Sequence, residues 1–307
     1  MVRRAIAVIS VCLFTAGAAP PIPISASAVP GMSELPGCVH PARVMAPGRG
    51  VEPHAPPPAE VAEMLADSRP RRSSPREHRI PITVPTWVHI ITDGLLGASD
   101  TAVRNQIATL NAAYSGHFGG VDTGIRFRLD GLTHTTNALW FRDPLTNERA
   151  IKRMRKGGPE TLNLYVAQLG QLVLGYSTYP AWYKAEPMLD GVVIDWRSLP
   201  GGSLRSFDRG FTGVHEIGHW FGLLHTFENG CASPGDGIAD TSPEAVATDG
   251  CVIDKDTCEG GGPDPIHNFM DYSDDRCMSE FTAGQALRMQ ETWSAYRRVK
   301  TDITLDR

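Results

Sequence analysis

The stretch that decides the reading is His215-Glu216-Ile217-Gly218-His219-Trp220-Phe221-Gly222-Leu223-Leu224-His225, a H-E-x-x-H-x-x-G-x-x-H pattern. On a helix, His215 and His219 lie four residues apart, on one face and one turn above the other. Both imidazoles then reach one metal ion. Zinc suits imidazole, and catalytic zinc sites pair three protein ligands with one open position for water. Glu216 follows the first histidine and projects about 100° round the helix from it. Its carboxylate is therefore placed beside the metal, where it can take a proton from the activated water. A helix that simply continued would carry His225 away from that metal. Gly222 permits the positive φ that ends a helix and turns the chain back. The spacing predicts His215, His219 and His225 as zinc ligands and Glu216 as general base. A buried amphipathic helix with satisfied core histidines is the blander reading, and it would strand the Glu216 carboxylate on an apolar helix.

Downstream, Asn268-Phe269-Met270-Asp271-Tyr272-Ser273 is similar to the Met-turn of metzincin metalloproteases, the class that carries the long zinc motif. That resemblance implies Met270 as an apolar floor beneath the histidines and Tyr272 as a side chain facing the metal. Gly213 to His225, Gly235 to Thr241, Asn268 to Cys277 and Phe281 to Gln285 together resemble the pappalysin (cytophagalysin) family of metzincins, over roughly residues 82 to 297. The resemblance implies an α/β (α+β) zincin. A twisted, mixed five-stranded sheet would stand with the active-site helix in an upper subdomain (80–225). A loop-rich, disulfide-bonded lower subdomain (226–307) would carry a C-terminal helix below. It also implies a calcium site at Asp236, Asp240 and Thr241, where a solvated acidic loop is the alternative.

The chain has 307 residues and a formal net charge of −5. Arg3 and Arg4, the apolar run Ala5 to Ala19 and Ala26-Ser27-Ala28 read as a secretory signal over residues 1–28, with Ala16-Gly17-Ala18 as a rival cleavage site. The apolar run is short for a membrane span, so no membrane anchor is expected. Removing the signal takes away two arginines and no acid, and without a basic stripe nucleic acid is not an expected partner. Residues 29–79 are rich in Pro, Ala and Arg, and only Ala59 to Asp67 is suited to a short helix. They read as a pro-segment with an activation linker from Arg69 to Arg79; a leader without regulatory role is the alternative. The catalytic domain is expected over 80–307.

Of six cysteines, Cys12 leaves with the signal and four cluster late, at Cys231, Cys251, Cys258 and Cys277. In a secreted chain this suggests two disulfides, with three pairings open; the family resemblance implies Cys231–Cys258 and Cys251–Cys277. Cys38 is the odd one. One reading is a cysteine switch, in which its thiolate fills the open position on zinc and keeps the enzyme latent. A free thiol or an intermolecular disulfide are the others, and Val39 stands where related zymogens often have glycine.

Hydrophobic patterning places strands at Ile82 to Thr92, Gly124 to Leu132, Thr161 to Leu169, Gln171 to Thr178 and Gly191 to Ile194. A helix capped by Ser99 follows the first strand, a short basic helix runs near Glu148 to Arg155, and Thr282-x-x-Gln285 is a capping box for a helix to about Tyr296. By resemblance the fourth strand is an antiparallel edge, and an edge can bind an extended peptide by β-addition. The expectation is a secreted, monomeric zinc endopeptidase made as a latent zymogen. The resemblance also implies that Arg276, beside Cys277, lies near the pocket that receives the residue after the cut; an exposed and irrelevant arginine is the alternative.

Overall fold

The computed structural model describes residues 52–67, 81–170 and 173–298. Five strands form one sheet: β1 (Ile82–Thr92), β2 (Ile125–Thr136), β3 (Leu162–Ala167), β4 (Gly175–Ser177) and β5 (Val192–Asp195). The order across the sheet is β2-β1-β3-β5-β4. β1 pairs in parallel with β2 and β3, and β3 in parallel with β5. Only β4 runs antiparallel, paired to β5, and it forms one edge.

The strand alternation sorts side chains to two buried faces. Val84, Val88, Ile90, Leu164, Val166, Val192 and Ile194 point to one face. There they pack with Val103, Ile107 and Leu110 of α2 (Asp100–Tyr114) and with Val214, Ile217 and Trp220 of α5 (Phe211–Trp220). Ile91, Tyr165, Ala167 and Val193 point the other way. They meet Phe141 of α3 (Ala138–Arg142) and Ile151 of α4 (Glu148–Ile151). Parallel strands buried on both faces explain why β3 and β5 are mostly apolar, Asn163 and Asp195 excepted.

Helix ends follow local chemistry. Ser99 Oγ accepts from Ala102 N and starts α2. Thr282 and Gln285 form the capping box of α6 (Ala283–Thr292), which continues through one π turn, Trp293–Arg297. β2 runs four residues beyond Leu132, because pairing with β1 continues to Thr136 after the alternation fades. A register shift at Thr86/Trp87 accompanies Gly131, where the Trp87 ring occupies the space a Cβ would need. β4 is shorter than the sequence suggested, Gly175–Ser177. α3 has no counterpart in the hydrophobic pattern; its signal is Asn137, whose Oδ1 accepts from Leu139 N and Trp140 N.

Below α5 the chain from 226 to 281 has no helix or named strand. Disulfides join Cys231 to Cys258 and Cys251 to Cys277, the crossed pairing. A buried network joins them in holding this half: Glu244 accepts from Thr226 Oγ1 at 2.7 Å and Thr248 Oγ1 at 3.1 Å, and Lys255 bonds both Glu244 and Asp264. The end of the chain's described part returns to the upper half. Arg297 is fully buried, pairs with Asp190 at 3.1 Å, donates to Trp220 O at 2.9 Å and stacks on the Trp220 ring at 3.5 Å.

One helix lies upstream of the sheet, α1 (Pro58–Asp67). Its Val61 is buried against Tyr179 and Leu224, with Met64, Leu65 and Trp182 around them. Glu60 accepts a hydrogen bond from Trp182 Nε1.

Candidate active site

α5 carries His215, Glu216 and His219, all buried. It is flanked by its caps, Gly210 at φ +82° and Phe221, and Gly222 then takes φ +89°. An L side chain is strained at such a φ, so glycine is what lets the chain turn. The turn brings His225 back: its Nε2 lies 3.1 Å from His219 Nε2, and His219 Nε2 lies 3.1 Å from His215 Nε2.

Three imidazole nitrogens at this spacing face one point. The other ring nitrogens say which tautomer is present. His215 Nδ1 donates to Phe269 O at 2.6 Å, and His219 Nδ1 to Leu223 O at 2.7 Å. Carbonyl oxygens can only accept, so the protons sit on Nδ1 and the Nε2 lone pairs point inward. A tetrahedral zinc with bonds of about 2.0–2.1 Å would set its ligand atoms about 3.3–3.4 Å apart. The donor set therefore fits the metal. Burial pushes the His225 imidazole below its ordinary pKa, toward the neutral form that ligates.

The fourth side chain at this point is one the motif does not contain. Glu52 Oε1 lies 3.1 Å from His215 Nε2 and Oε2 lies 3.3 Å from His219 Nε2 and 3.2 Å from His225 Nε2. Among the described residues, Glu52, His215, His219 and His225 form a group whose ligand atoms lie close enough together to hold one metal ion. Nothing local in the sequence marks Glu52: it is a lone glutamate before a Pro-rich stretch, and only tertiary contact brings it here.

Met270 is fully buried, and its sulfur lies where a Cβ on Gly218 would stand. So Gly218 admits Met270 beneath the helix. Asn268 holds the turn: its Oδ1 accepts from Met270 N at 3.0 Å, and it exchanges two bonds of 2.9 Å with Gln285, the residue that also caps α6. Tyr272 lies against His215 and His225, and its hydroxyl donates to Glu52 Oε1 at 3.1 Å. The Glu216 side chain faces β4; a Cβ on Gly175 would stand 2.6 Å from its Cγ and 2.9 Å from its Cδ. The edge strand thus passes directly against this carboxylate. Tyr179, absent from the sequence reading, places its hydroxyl 2.9 Å from His219 Nδ1.

The remaining candidates stand apart from the histidines. Asp236 Oδ1 accepts from Thr241 Oγ1 at 2.7 Å and Ile238 N at 2.9 Å, while its Oδ2 is buried without a hydrogen-bond partner among the described residues. Asp240 instead binds Thr282 Oγ1 and Gly284 N at the start of α6. Arg276 is exposed and pairs with Asp274 at 3.2 Å. Cys38 lies outside the described residues, as do the signal segment and the Arg69 to Arg79 linker.

The chain is similar to known proteins. The family pattern described as pregnancy-associated plasma protein-A matches residues 163–294. Extracellular metalloprotease 1 of Coccidioides posadasii is 41% identical over 229 residues, covering 71% of this chain and 79% of its own. Mature mirolysin of Tannerella forsythia, solved with a cleaved peptide, is 25% identical with a TM-score of 0.59, over 71% of this chain and 98% of its own. A promirolysin mutant from the same organism shares the fold, with a TM-score of 0.64 at 24% identity over 78% of this chain and 87% of its own. No described helix is long and apolar enough to cross a membrane. On the level of identity and coverage shared with the Coccidioides extracellular metalloprotease, the chain belongs to the pappalysin family of metzincins and is a secreted zinc metalloendopeptidase.

Proposed function

We propose that His215, His219 and His225 hold the zinc of this protease and that Glu216 is its general base. The observation that carries this is the convergence of three Nε2 atoms, with the Nδ1 protons of His215 and His219 committed to backbone carbonyls. Bound zinc supplies Lewis acidity, polarising the scissile carbonyl and acidifying the attacking water. Glu216 takes the water's proton and delivers it to the leaving amine. Tyr272 donates its hydroxyl to the oxyanion of the tetrahedral intermediate. β4 receives the substrate as an extended strand, an arrangement supported by Gly175, whose lack of a side chain lets Glu216 lie against that strand.

In this reading residues 1–28 are a signal, 29–79 a pro-segment and 80–307 the catalytic domain, acting as a monomer. The uncut chain is a latent zymogen; the solved relative too has a pro-form. Replacing Glu216 by Gln abolishes casein hydrolysis by the processed enzyme, by about 10³-fold or more, while one zinc per chain remains. Substantial turnover in that variant sinks the mechanism.

Calcium at Asp236, with Thr241 and Asp240, is the finer part of the cofactor proposal. It is supported by the buried Asp236 Oδ2. Calorimetric titration of calcium into the full chain should lose its heat in Asp236→Asn; an unchanged isotherm removes Asp236 from the site. Arg276 is proposed to bias the residue after the cut toward acidic or neutral side chains. Equal library cleavage by Arg276→Asp removes that role.

A further inference from the structure

The segment from Glu52 to Asp67 touches three parts of the site. His54 Nε2 lies 3.1 Å from Glu148, and its ring lies 5.0 Å from that of Tyr176 on the edge strand. α1 packs Val61 on Tyr179 and Leu224, the residue before His225. At the start of the segment, Glu52 is buried against the three histidines.

The spacing of its oxygens is informative. They lie 3.1–3.3 Å from the three Nε2 atoms, and His219 Nε2 lies 3.1 Å from each of the other two. Those separations are close to the roughly 3.3 Å edge of a tetrahedron of zinc ligands. A carboxylate suits that metal and supplies negative charge against it. The same Oε1 accepts the hydroxyl of Tyr272.

The geometry points to Glu52 as the fourth protein ligand of the metal in the uncut chain, closing the position that water must take for hydrolysis. This rests on the zinc-protease reading above and names the residue responsible for latency. One carboxylate then disables two parts of the machinery, because it fills the water position and also occupies the hydroxyl of Tyr272. His54, resting on Tyr176, adds cover to the edge strand where substrate would lie. The metal has one open position, so Glu52 and the Cys38 thiolate are alternatives there. Cleavage in the arginine-bearing stretch Arg69 to Arg79 unties the segment from the catalytic domain, and the carboxylate leaves with it.

The test uses the full-length chain carrying Glu216→Gln, so that it cannot process itself. Zinc content is measured first, and then the affinity of acetohydroxamic acid by calorimetry, with the visible spectrum of the cobalt-substituted protein as a second readout. Adding Glu52→Ala or Glu52→Gln should tighten hydroxamate binding by about tenfold or more, since the ligand no longer competes with a tethered carboxylate. The cobalt spectrum should change with it. Adding Cys38→Ser instead should leave both unchanged. If Glu52→Ala dislodges the whole segment, Glu52→Gln, which keeps the shape, decides. Hydroxamate affinities indifferent to residue 52, or opened by Cys38→Ser alone, overturn the assignment while the protease reading stands. A chain that holds no zinc in any form overturns both.

Discussion

The two halves of the catalytic domain are held together by different physics. The upper half, from β1 to α5, is a sheet between two layers of helix, and its stability comes from apolar side chains removed from water. The lower half, from 226 to 281, buries fewer large apolar side chains. Two crossed disulfides and the Glu244–Lys255–Asp264 network take the place of a core. The histidines stand where the halves meet. His215 and His219 belong to the upper half, but His215 is oriented by Phe269 O, and Met270 of the lower half packs against Gly218 of the same helix. A site that must be rigid on the metal side and open to varied peptides on the other is served by a stiff sheet above and a stapled loop below.

That contrast predicts where damage should spread. Replacing Cys231, Cys251, Cys258 and Cys277 by serine removes two bridges whose cysteines stand 27 and 26 residues apart. Each bridge is worth about 3.5 kcal/mol on the chain-entropy account. Hydrogen exchange should show residues 226–281 losing protection while β1 and β3 keep theirs. Equal loss in both halves breaks the comparison. Next, Leu164→Ala, at a fully buried position in β3, should cost about 3 kcal/mol and lower the melting temperature of the whole domain. A loss confined to the sheet, with the lower half unaffected, argues that the halves fold independently.

The smallest effect is the dependence on pH. Burial, with Asp271 nearby, pushes Glu244 up to about 7. A carboxyl raised in the folded state favours the fold below its unfolded pKa, and that contribution is lost as pH rises through about 7. Glu148 is the opposite. Burial alone would raise it, but His54 and Lys152 outweigh burial and hold it down at about 2. Its contribution is present above the unfolded carboxylate pKa and is lost as pH falls from there through about 2. Between pH 7 and 5 the lower half should therefore gain exchange protection while the contact of His54 with α4 holds. Glu244→Gln should flatten the first trend; an unchanged trend removes Glu244 as its source.

The same contrast governs how much could be read in the sequence. The upper half is legible because burial imposes a period. Ile82–Thr92 and the Ser99 cap lie where the pattern puts them, and α6 begins at its capping box. The zinc motif is legible because Gly222 and the histidine spacing are local requirements of one turn. The lower half has no period, so only resemblance suggested how Cys231, Cys251, Cys258 and Cys277 pair. α3 was missed because five residues are too few for a hydrophobic period. Glu52 was beyond reach for another reason. It meets His215 across a sequence distance of 163 residues, and nothing in Glu-Pro-His foretells that contact.

The Arg297 clamp sets a practical boundary for anyone trimming this gene. The guanidinium lies between Trp220 O, at the last residue of α5, and the Asp190 carboxylate before β5, with its plane on the indole ring. A stop codon placed after the last turn of α6 would keep every histidine, the methionine floor and both disulfides. It would still leave the Asp190 carboxylate buried without its main countercharge and strip the end of the zinc helix of its seal. The shortest useful expression clone therefore has to read through Arg297, and a purification tag belongs beyond that residue.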